Sequence, residues 1–451
     1  MYKTIRIDNY RICMFDTKTV LPTFLTLMYC VHALHYKSVN YQESELRNLK
    51  HFHNYWLDKY SKTLDYSVID AEFSRNVFQQ LIEALDGFSL YLNNSNQCVG
   101  NVTTLNIQTA DSGRPNIKRL STNAACYQSV CRFLDFLINH YFSLHYITES
   151  SSEVGSHRRD LLHLLRARRS YYKHLLPNNA SGQYKSLTVQ QFADFVTMFP
   201  VSINPRKDNQ GRMSNSAYRQ YRDHILIRLL SNYGLRIGEA LLLRRPSFKT
   251  NLVGDAYYMQ VANLEDGRDP RKSKPSIKTD SSVRIIKIAR SDYLIVHKFF
   301  EQVELHSVHD FLFTTSLGEY PPLSYKGALK IITDASKRMQ KKFPHHFSSE
   351  FADSISGVYP HMLRHTWAYL QLQYLYRKHQ AKFISAGASN PKGIMQSAID
   401  DLRALGGWTH NSTMPANYAK RFIAERANEL NVNKFGDVSA QNLISIALPR
   451  F

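Results

Sequence analysis

The sequence predicts a mainly helical protein with a small antiparallel β-sheet, an α+β fold divided into at least two domains. The chain has 451 residues, too many for one ordinary hydrophobic core. Hydrophobic residues make up 43% of it, which is enough for globular packing. Apolar residues recur at three- and four-residue spacing over most of the chain, whereas residues 256–262 and 277–288 have the composition of strands.

Residues 1–40 mix β-branched and aromatic residues, which indicates strands or an extended arm. The apolar stretch 20–31 contains Pro22 and is too short to span a membrane, so we expect a buried strand or helix and no membrane association. Residues 41–150 have the helical spacing, interrupted by loops rich in Asn, Ser, Gly and Pro. This region therefore predicts a small all-helical domain.

The composition changes over residues 151–186. A stretch rich in Ser and Glu, 149–156, indicates a linker, and a basic run with interleaved leucines and tyrosines follows it. If this run is helical, it could lie along a DNA backbone, where arginines displace counterions, or dock its apolar side on its own protein. We therefore expect a basic linker between two domains.

Residues 187–430 predict a second domain, and residues 431–451 form a tail beyond it. Thr188 and Gln191 have the spacing of a capping box at the start of a helix. A longer amphipathic helix ends at Gly234, strands follow, and the pattern is helical again in the last third of the chain.

The charge balance indicates the class of partner that the chain binds. The chain has 57 Lys and Arg against 37 Asp and Glu, a formal net charge of +20. Such a protein usually binds a polyanion, most often nucleic acid, although a generally cationic surface has the same composition. The five cysteines are odd in number and show no CxxC spacing, so we expect reduced thiols in a cytosolic protein.

The first motif is Tyr-Gly-Leu-Arg-Ile-Gly-Glu at residues 233–239. Arg236 follows the helix-breaking Gly234 and opens the next helix, so its guanidinium projects from a helix start. Glu239 comes one helical turn later and can support it. Taken alone, the motif also fits an ordinary helix–turn–helix join with a surface arginine.

The second motif is His-Met-Leu-Arg-His-Thr at residues 361–366, directly after Pro360, which suits a helix entrance. The i,i+3 spacing places His361 and Arg364 on one helical face. Arginine binds two phosphate oxygens with its planar fork and keeps its charge. A pair of arginines can stabilise the charge that other phosphoryl-transfer enzymes stabilise with a metal ion.

The third motif is Leu-Gly-Gly-Trp at residues 405–408, with Tyr418 ten residues beyond the tryptophan. The indole N–H of Trp408 can donate to a phosphate, and His410 is an alternative for this position. A phenol with its ordinary pKa of about 10 is a poor nucleophile, so neighbouring cations must favour the phenolate.

A lysine lies near a predicted hairpin turn at residues 280–282. Lys278 precedes this turn, with Lys274 as the alternative. A lysine acts as a general acid when neighbouring cations lower its pKa, as two arginines would. It is equally one more surface lysine of a basic protein.

The order Arg, Lys, His-x-x-Arg, Trp, Tyr over residues 186–430 resembles the catalytic set of the tyrosine recombinases, or phage-type integrases. The third motif departs from the commonest form, in which a histidine directly follows the Leu-Gly pair. The resemblance assigns roles to eight residues. They would bind the scissile phosphate, transfer protons to or from it, attack its phosphorus, or support the other site residues. Those residues are Arg236, Lys278, His361, Arg364, Trp408 and Tyr418, with Glu239 and His365 in support.

The resemblance implies an enzyme that cuts and rejoins double-stranded DNA through a 3′-phosphotyrosyl link, without metal, cofactor or ATP. It implies a homotetramer on DNA, encoded by a mobile element, cytoplasmic and nucleoid-associated, with room for accessory DNA-bending proteins. Residues 41–150 would form the core DNA-binding domain, and the tail could contact a neighbouring subunit. A type IB topoisomerase-like enzyme and an inactive DNA-binding protein of the same fold are the alternatives.

Overall fold

The computed structural model divides the chain into two compact units, Met1–Ala180 and Ser181–Phe451. It describes residues 2–7, 11–94, 117–144, 151–175, 184–202, 205–263, 269–271, 274–275, 277, 282–385 and 393–436.

The first unit begins with an antiparallel hairpin of β1 (Tyr2–Arg6) and β2 (Ile12–Asp16). Helix α1 (Phe24–Tyr29) follows and continues into a π-helical turn, Cys30–Leu34. The apolar stretch 20–31 is thus largely helical, and residues 1–40 contain both strands and a helix.

The described residues of this unit contain five further helices: α2 (Val39–Tyr60), α3 (Leu64–Asp70), α4 (Arg75–Asn94), α5 (Ile117–Tyr141) and α6 (Ser151–Leu175). Serine and threonine side chains cap α2 and α3 by accepting a bond from the backbone three residues on. The helices and the hairpin enclose one apolar core. Over residues 41–94 and 117–144, which the structure describes, the predicted helical character is confirmed.

Most of the predicted linker is helix α6, which begins at Ser151, so the Ser- and Gly-containing stretch is helical rather than extended. The cost of serine and glycine in a helix is at most about 1 kcal/mol each. Leu161 and Leu165, four residues apart, are buried in the core of the unit, and Tyr172 stacks on Tyr127 with ring centroids 4.0 Å apart. The apolar side therefore docks on its own unit. The same helix exposes Arg158, Arg159 and Arg166.

The second unit begins with α7 (Val189–Val196), α8 (Asn215–Tyr233) and α9 (Ile237–Leu241). The predicted capping box opens α7. The Thr188 hydroxyl accepts from the Gln191 amide at 3.0 Å, and the Gln191 side-chain oxygen accepts from the Thr188 amide at 2.9 Å.

A three-stranded antiparallel sheet follows, in the order β3 (Phe248–Thr250), β4 (Tyr257–Val261), β5 (Arg284–Ile288). The strand predicted at 256–262 is confirmed, while β3 was not predicted.

Residues 278–281, which would form the first strand and most of the turn of the predicted hairpin within 277–288, lie outside the described residues. Strand β5 pairs with β4, with Ile286 opposite Met259, and Ile277 lies outside any strand. Both paired residues are buried, so matching apolar faces select the partner strand. Of the predicted turn, only Ser282 belongs to the described residues.

Six more helices lie in the part of the second unit that the structure describes beyond β5. The helices are α10 (Arg290–His306), α11 (Tyr325–Lys342), α12 (Pro360–Ser385), α13 (Ile394–Gly406), α14 (Met414–Tyr418) and α15 (Lys420–Gly436). A 3₁₀ turn, Pro344–Phe347, follows α11. Within the part of the chain that the structure describes, no helix combines the length and hydropathy needed to cross a bilayer.

Candidate active site

Arg236 lies at the turn between α8 and α9. Gly234 ends α8 with φ +61°, and Arg236 is the N-cap residue of α9 in an extended conformation. Its Nη1 donates to Glu239 Oε1 at 2.5 Å and to Ser282 Oγ at 3.0 Å. The side chain keeps 22% of its surface exposed, so these bonds orient the guanidinium without enclosing it.

Glu239 joins two arginines. Its side chain is only 2% exposed, and its Oε2 accepts from the Arg236 amide and from Arg284 Nη2, each at 3.0 Å. Burial opposes ionisation of this carboxyl, but the charges of Arg284 and Arg364 and the Arg236 amide outweigh it and lower its pKa. The buried carboxylate therefore carries a negative charge between guanidiniums, as the prediction of a supporting role for Glu239 requires.

Arg284 is a site residue that the sequence analysis missed. It begins β5 on the same face as the buried Ile286 and Ile288, and its Nη1 also donates to the Ser282 carbonyl at 2.8 Å. A signal was present in the sequence, because a basic residue on the apolar face of an alternating strand needs a buried acid partner.

Arg364 lies in the second turn of α12 and is 1% exposed. Its Nη1 donates to the carbonyl of Gly234, and its Nη2 donates to the carbonyl of Gly406 at 2.7 Å. Its Nε is buried and has no hydrogen-bond partner among the described residues. Burial, and then the neighbouring Arg236, lower the pKa of this guanidinium to about 9, which leaves it charged at neutral pH.

Trp408 covers the Arg364 guanidinium. The Arg364 Cζ lies 4.4 Å from the Trp408 ring centroid and 5.6 Å from that of Tyr418, within the range of cation–π attraction. A Cβ at Gly406 would lie 1.8 Å from the indole, so only glycine lets this ring fold back. The Arg364 guanidinium is thus enclosed by the rings of Trp408 and Tyr418.

Tyr418 ends α14 and is 4% exposed. Its hydroxyl lies 3.0 Å from Nε2 of His361, the exposed residue one turn before Arg364 on α12. The structure thus brings the phenol and the imidazole of two predicted residues, 57 positions apart, into hydrogen-bonding distance.

His365 supports the tyrosine. The two rings stack with centroids 4.3 Å apart, and His365 Nδ1 lies 3.4 Å from the carbonyl oxygen of Tyr418. Burial, followed by the proximity of His361, lowers the pKa of His365 to about 4. The ring is therefore neutral at physiological pH.

Three further candidates from the sequence are Lys278, Lys274 and His410. Lys278 lies outside the described residues, and its alternative Lys274 is exposed. His410 is also exposed, and its Nδ1 lies 3.2 Å from the Asn411 side-chain oxygen. Of the two candidates for the third position, Trp408 is the one that contacts Arg364 and Tyr418.

No known family model and no curated protein matches the chain. Solved structures do resemble it. One is the XerH site-specific recombinase bound to palindromic difH substrate, a post-cleavage complex, at 14% identity and TM-score 0.36, covering 79% of this chain and 94% of that one. The pre-cleavage complex of the same recombinase has 14% identity and TM-score 0.31, covering 77% and 96%.

A third is the Tn1549 transposon integrase in complex with circular intermediate DNA, at 17% identity and TM-score 0.30, covering 75% of this chain and 99% of that one. These three solved structures are of one site-specific recombinase and one integrase, and the sequence motifs of this chain resemble the same class.

Proposed function

We propose that this chain is a tyrosine recombinase, a DNA strand transferase that cuts and rejoins DNA through a 3′-phosphotyrosyl intermediate. One observation carries the proposal: the Tyr418 hydroxyl lies 3.0 Å from His361 Nε2, beside the Arg364 guanidinium on the same helix. Transesterification at a phosphate needs a nucleophile, a proton acceptor and fixed positive charge, and this cluster offers all three.

In the proposed reaction the Tyr418 oxygen attacks the phosphorus and the bond from phosphorus to the 5′ oxygen breaks. His361 is within hydrogen-bonding reach of the phenol and accepts its proton. The nearby Arg364 charge favours the phenolate that forms. The products are a phosphotyrosyl link to the 3′ end and a free 5′-hydroxyl.

Arg236 and Arg364 bind the non-bridging phosphate oxygens, on which negative charge increases in the transition state. The partly exposed Arg236 is the first contact, held by Glu239 and Ser282. The buried Nε of Arg364 is a donor available for an oxygen once Trp408 moves aside. The indole N–H of Trp408 then donates to the same phosphate.

Lys278 protonates the departing 5′ oxygen in this scheme. The support for this assignment is its place in the sequence, between Arg236 and Arg364 and shortly before β5. A lysine near two guanidiniums has a lowered pKa and gives up its proton more readily than an isolated one.

The phosphotyrosine keeps the energy of the broken bond, so a 5′-hydroxyl from another strand reverses the step without ATP. The net charge of +20 suits a double-stranded DNA substrate. We further propose that the protein acts as a homotetramer on two DNA sites and that a mobile element encodes it.

The test uses nicked duplexes tiled across the DNA that flanks the gene, because a nick near the cleaved phosphate traps the covalent adduct. The wild-type protein should give an adduct stable to denaturing electrophoresis, and Tyr418→Phe none. Tyr374→Phe, an exposed tyrosine of α12, is the matched control and should react normally. An adduct formed equally by Tyr418→Phe would refute the proposal.

The reaction products separate the alternative functions. Joining of strands from two different duplexes identifies a recombinase. Relaxation of supercoiled DNA without strand exchange identifies a topoisomerase-like enzyme. Binding without any adduct identifies an inactive DNA-binding protein.

A further inference from the structure

We propose that Asp194, His345 and His346, here called the Asp194 cluster, bind one divalent transition-metal cation such as Zn²⁺. Among the residues that the structure describes, this is the one group of three His, Cys, Asp or Glu side chains whose ligand atoms lie within 4.8 Å of one another. Two imidazoles and a carboxylate are ligands that zinc accepts, with further positions left to water.

The distances within the Asp194 cluster fit a shared cation. His346 Nε2 lies 2.8 Å from Asp194 Oδ2. Two ligand atoms bound to one zinc at about 2.0–2.2 Å are themselves roughly 3 Å apart, so this pair needs little movement to hold a metal. In the metal-bound state the cation replaces the proton that the two groups share.

The backbone holds both histidines in place. They lie in the 3₁₀ turn Pro344–Phe347, where the His346 carbonyl accepts from the Ile355 amide at 2.9 Å. Phe343 and Phe347 pack against the core on either side of them. A preformed ligand pair binds a metal with less ordering cost than a flexible one.

The ligands differ in burial in a way that suits an accessible metal site. The side chains of Asp194 and His346 are mostly buried, whereas His345 is exposed and can turn toward the cation without disturbing the core. The Gln190 amide also donates to Asp194 Oδ2, at 3.2 Å, and so helps to orient the carboxylate. Bound metal would tie α7 to the turn that follows α11.

The test measures zinc binding and thermal unfolding of the untagged, metal-free full chain with added zinc chloride. We expect one tight zinc site per chain and a melting temperature that rises by roughly 5 °C when zinc is about 100-fold above its dissociation constant. His345→Asn should abolish both effects while leaving the metal-free melting temperature unchanged, because the pair of Asp194 and His346 remains. Asp194→Asn should also abolish zinc binding.

The matched control is His379→Asn. His379 Nε2 lies 2.9 Å from Asp401 Oδ2, a His–Asp pair at a similar distance but more exposed and outside the group of three ligands, and its loss should leave the zinc effect intact. Zinc binding that is equal in the wild type and His345→Asn would overturn the proposal, as would a wild type whose melting temperature does not respond to zinc. Neither readout depends on DNA cleavage.

Discussion

At the scale of single residues, the candidate site depends on one buried carboxylate that holds two guanidinium groups in place. Glu239 bonds Arg236, which faces the proposed phosphate, and Arg284, which lies deeper. Arg284 touches no proposed reacting atom, so we regard it as a positioning residue. It holds Glu239 in the ionised form and in the orientation that fixes the Arg236 guanidinium.

Arg284→Met should lower the rate of strand cleavage by about tenfold or more, while DNA affinity changes only a few-fold. The reason is that Glu239 then loses the hydrogen bond from Arg284 that holds its carboxylate in place. The Arg236 guanidinium, which bonds the same carboxylate, therefore loses its fixed orientation. Single-turnover cleavage and binding titrations measure the two effects. Lys287→Met removes the same charge from the exposed face of β5 and serves as the control. Equal cleavage rates for the two variants would contradict a positioning role.

His365 makes stability depend on pH. Its folded-state pKa of about 4 lies below its ordinary value of 6.5, so the unfolded chain binds more protons between these values. The stability that neutral His365 provides is complete above pH 6.5 and is lost as the pH falls toward 4. The loss is on the order of 3 kcal/mol.

Urea unfolding at several pH values checks this dependence. His365→Asn should flatten the fall in the free energy of unfolding between pH 6.5 and 4, while His410→Asn, which removes an exposed imidazole, should not. An identical slope in the wild type and His365→Asn would show that this histidine is not the source.

At the scale of elements, the site is assembled where the turn from α8 to α9 meets α12. Gly234 has φ +61°, and a Cβ on it would lie 2.2 Å from the Trp367 ring of α12. Its carbonyl also accepts from Arg364. The same glycine therefore sets the direction of Arg236, the approach of α12 and the placement of Arg364.

Gly234→Ala should destabilise the protein by roughly 2–4 kcal/mol, since it combines left-handed strain with a clash against Trp367. Gly254→Ala separates the two causes, because Gly254 has φ +80° with nothing within 4 Å of a Cβ. That control should cost only about 1–2 kcal/mol. Equal free energies of unfolding for the two variants would mean that the contact with Trp367 is unimportant.

At the scale of the whole molecule, the net charge of +20 should govern affinity for DNA. If six to ten phosphates are contacted, the affinity for DNA should fall by about 10³–10⁵-fold between 50 and 200 mM salt. The reason is that the release of counterions from DNA becomes less favourable as the salt concentration rises. Binding titrations over this range give the slope. Affinity that does not change with salt would exclude a phosphate-dominated interface.

The sequence revealed those parts of the molecule that local patterns encode. Helical spacing predicted α8 and α12, and the motif order predicted that Arg364, His361 and Tyr418 meet. It did not reveal Arg284, whose partner Glu239 is 45 residues away, nor the pairing of β5 with β4, because polar residues at 280–282 suggested a local turn. The Asp194 cluster also escaped notice, since 152 residues separate Asp194 from His346.

The central claim is that Tyr418 becomes linked to DNA, and peptide mapping of the covalent adduct tests it most directly. The adduct is digested with nuclease and protease, and the tyrosine that carries the remaining nucleotide is identified by mass spectrometry. The chain has 28 tyrosines, and we predict that the modified one is Tyr418. A nucleotide on any other residue, or an adduct that persists in Tyr418→Phe, would contradict the account.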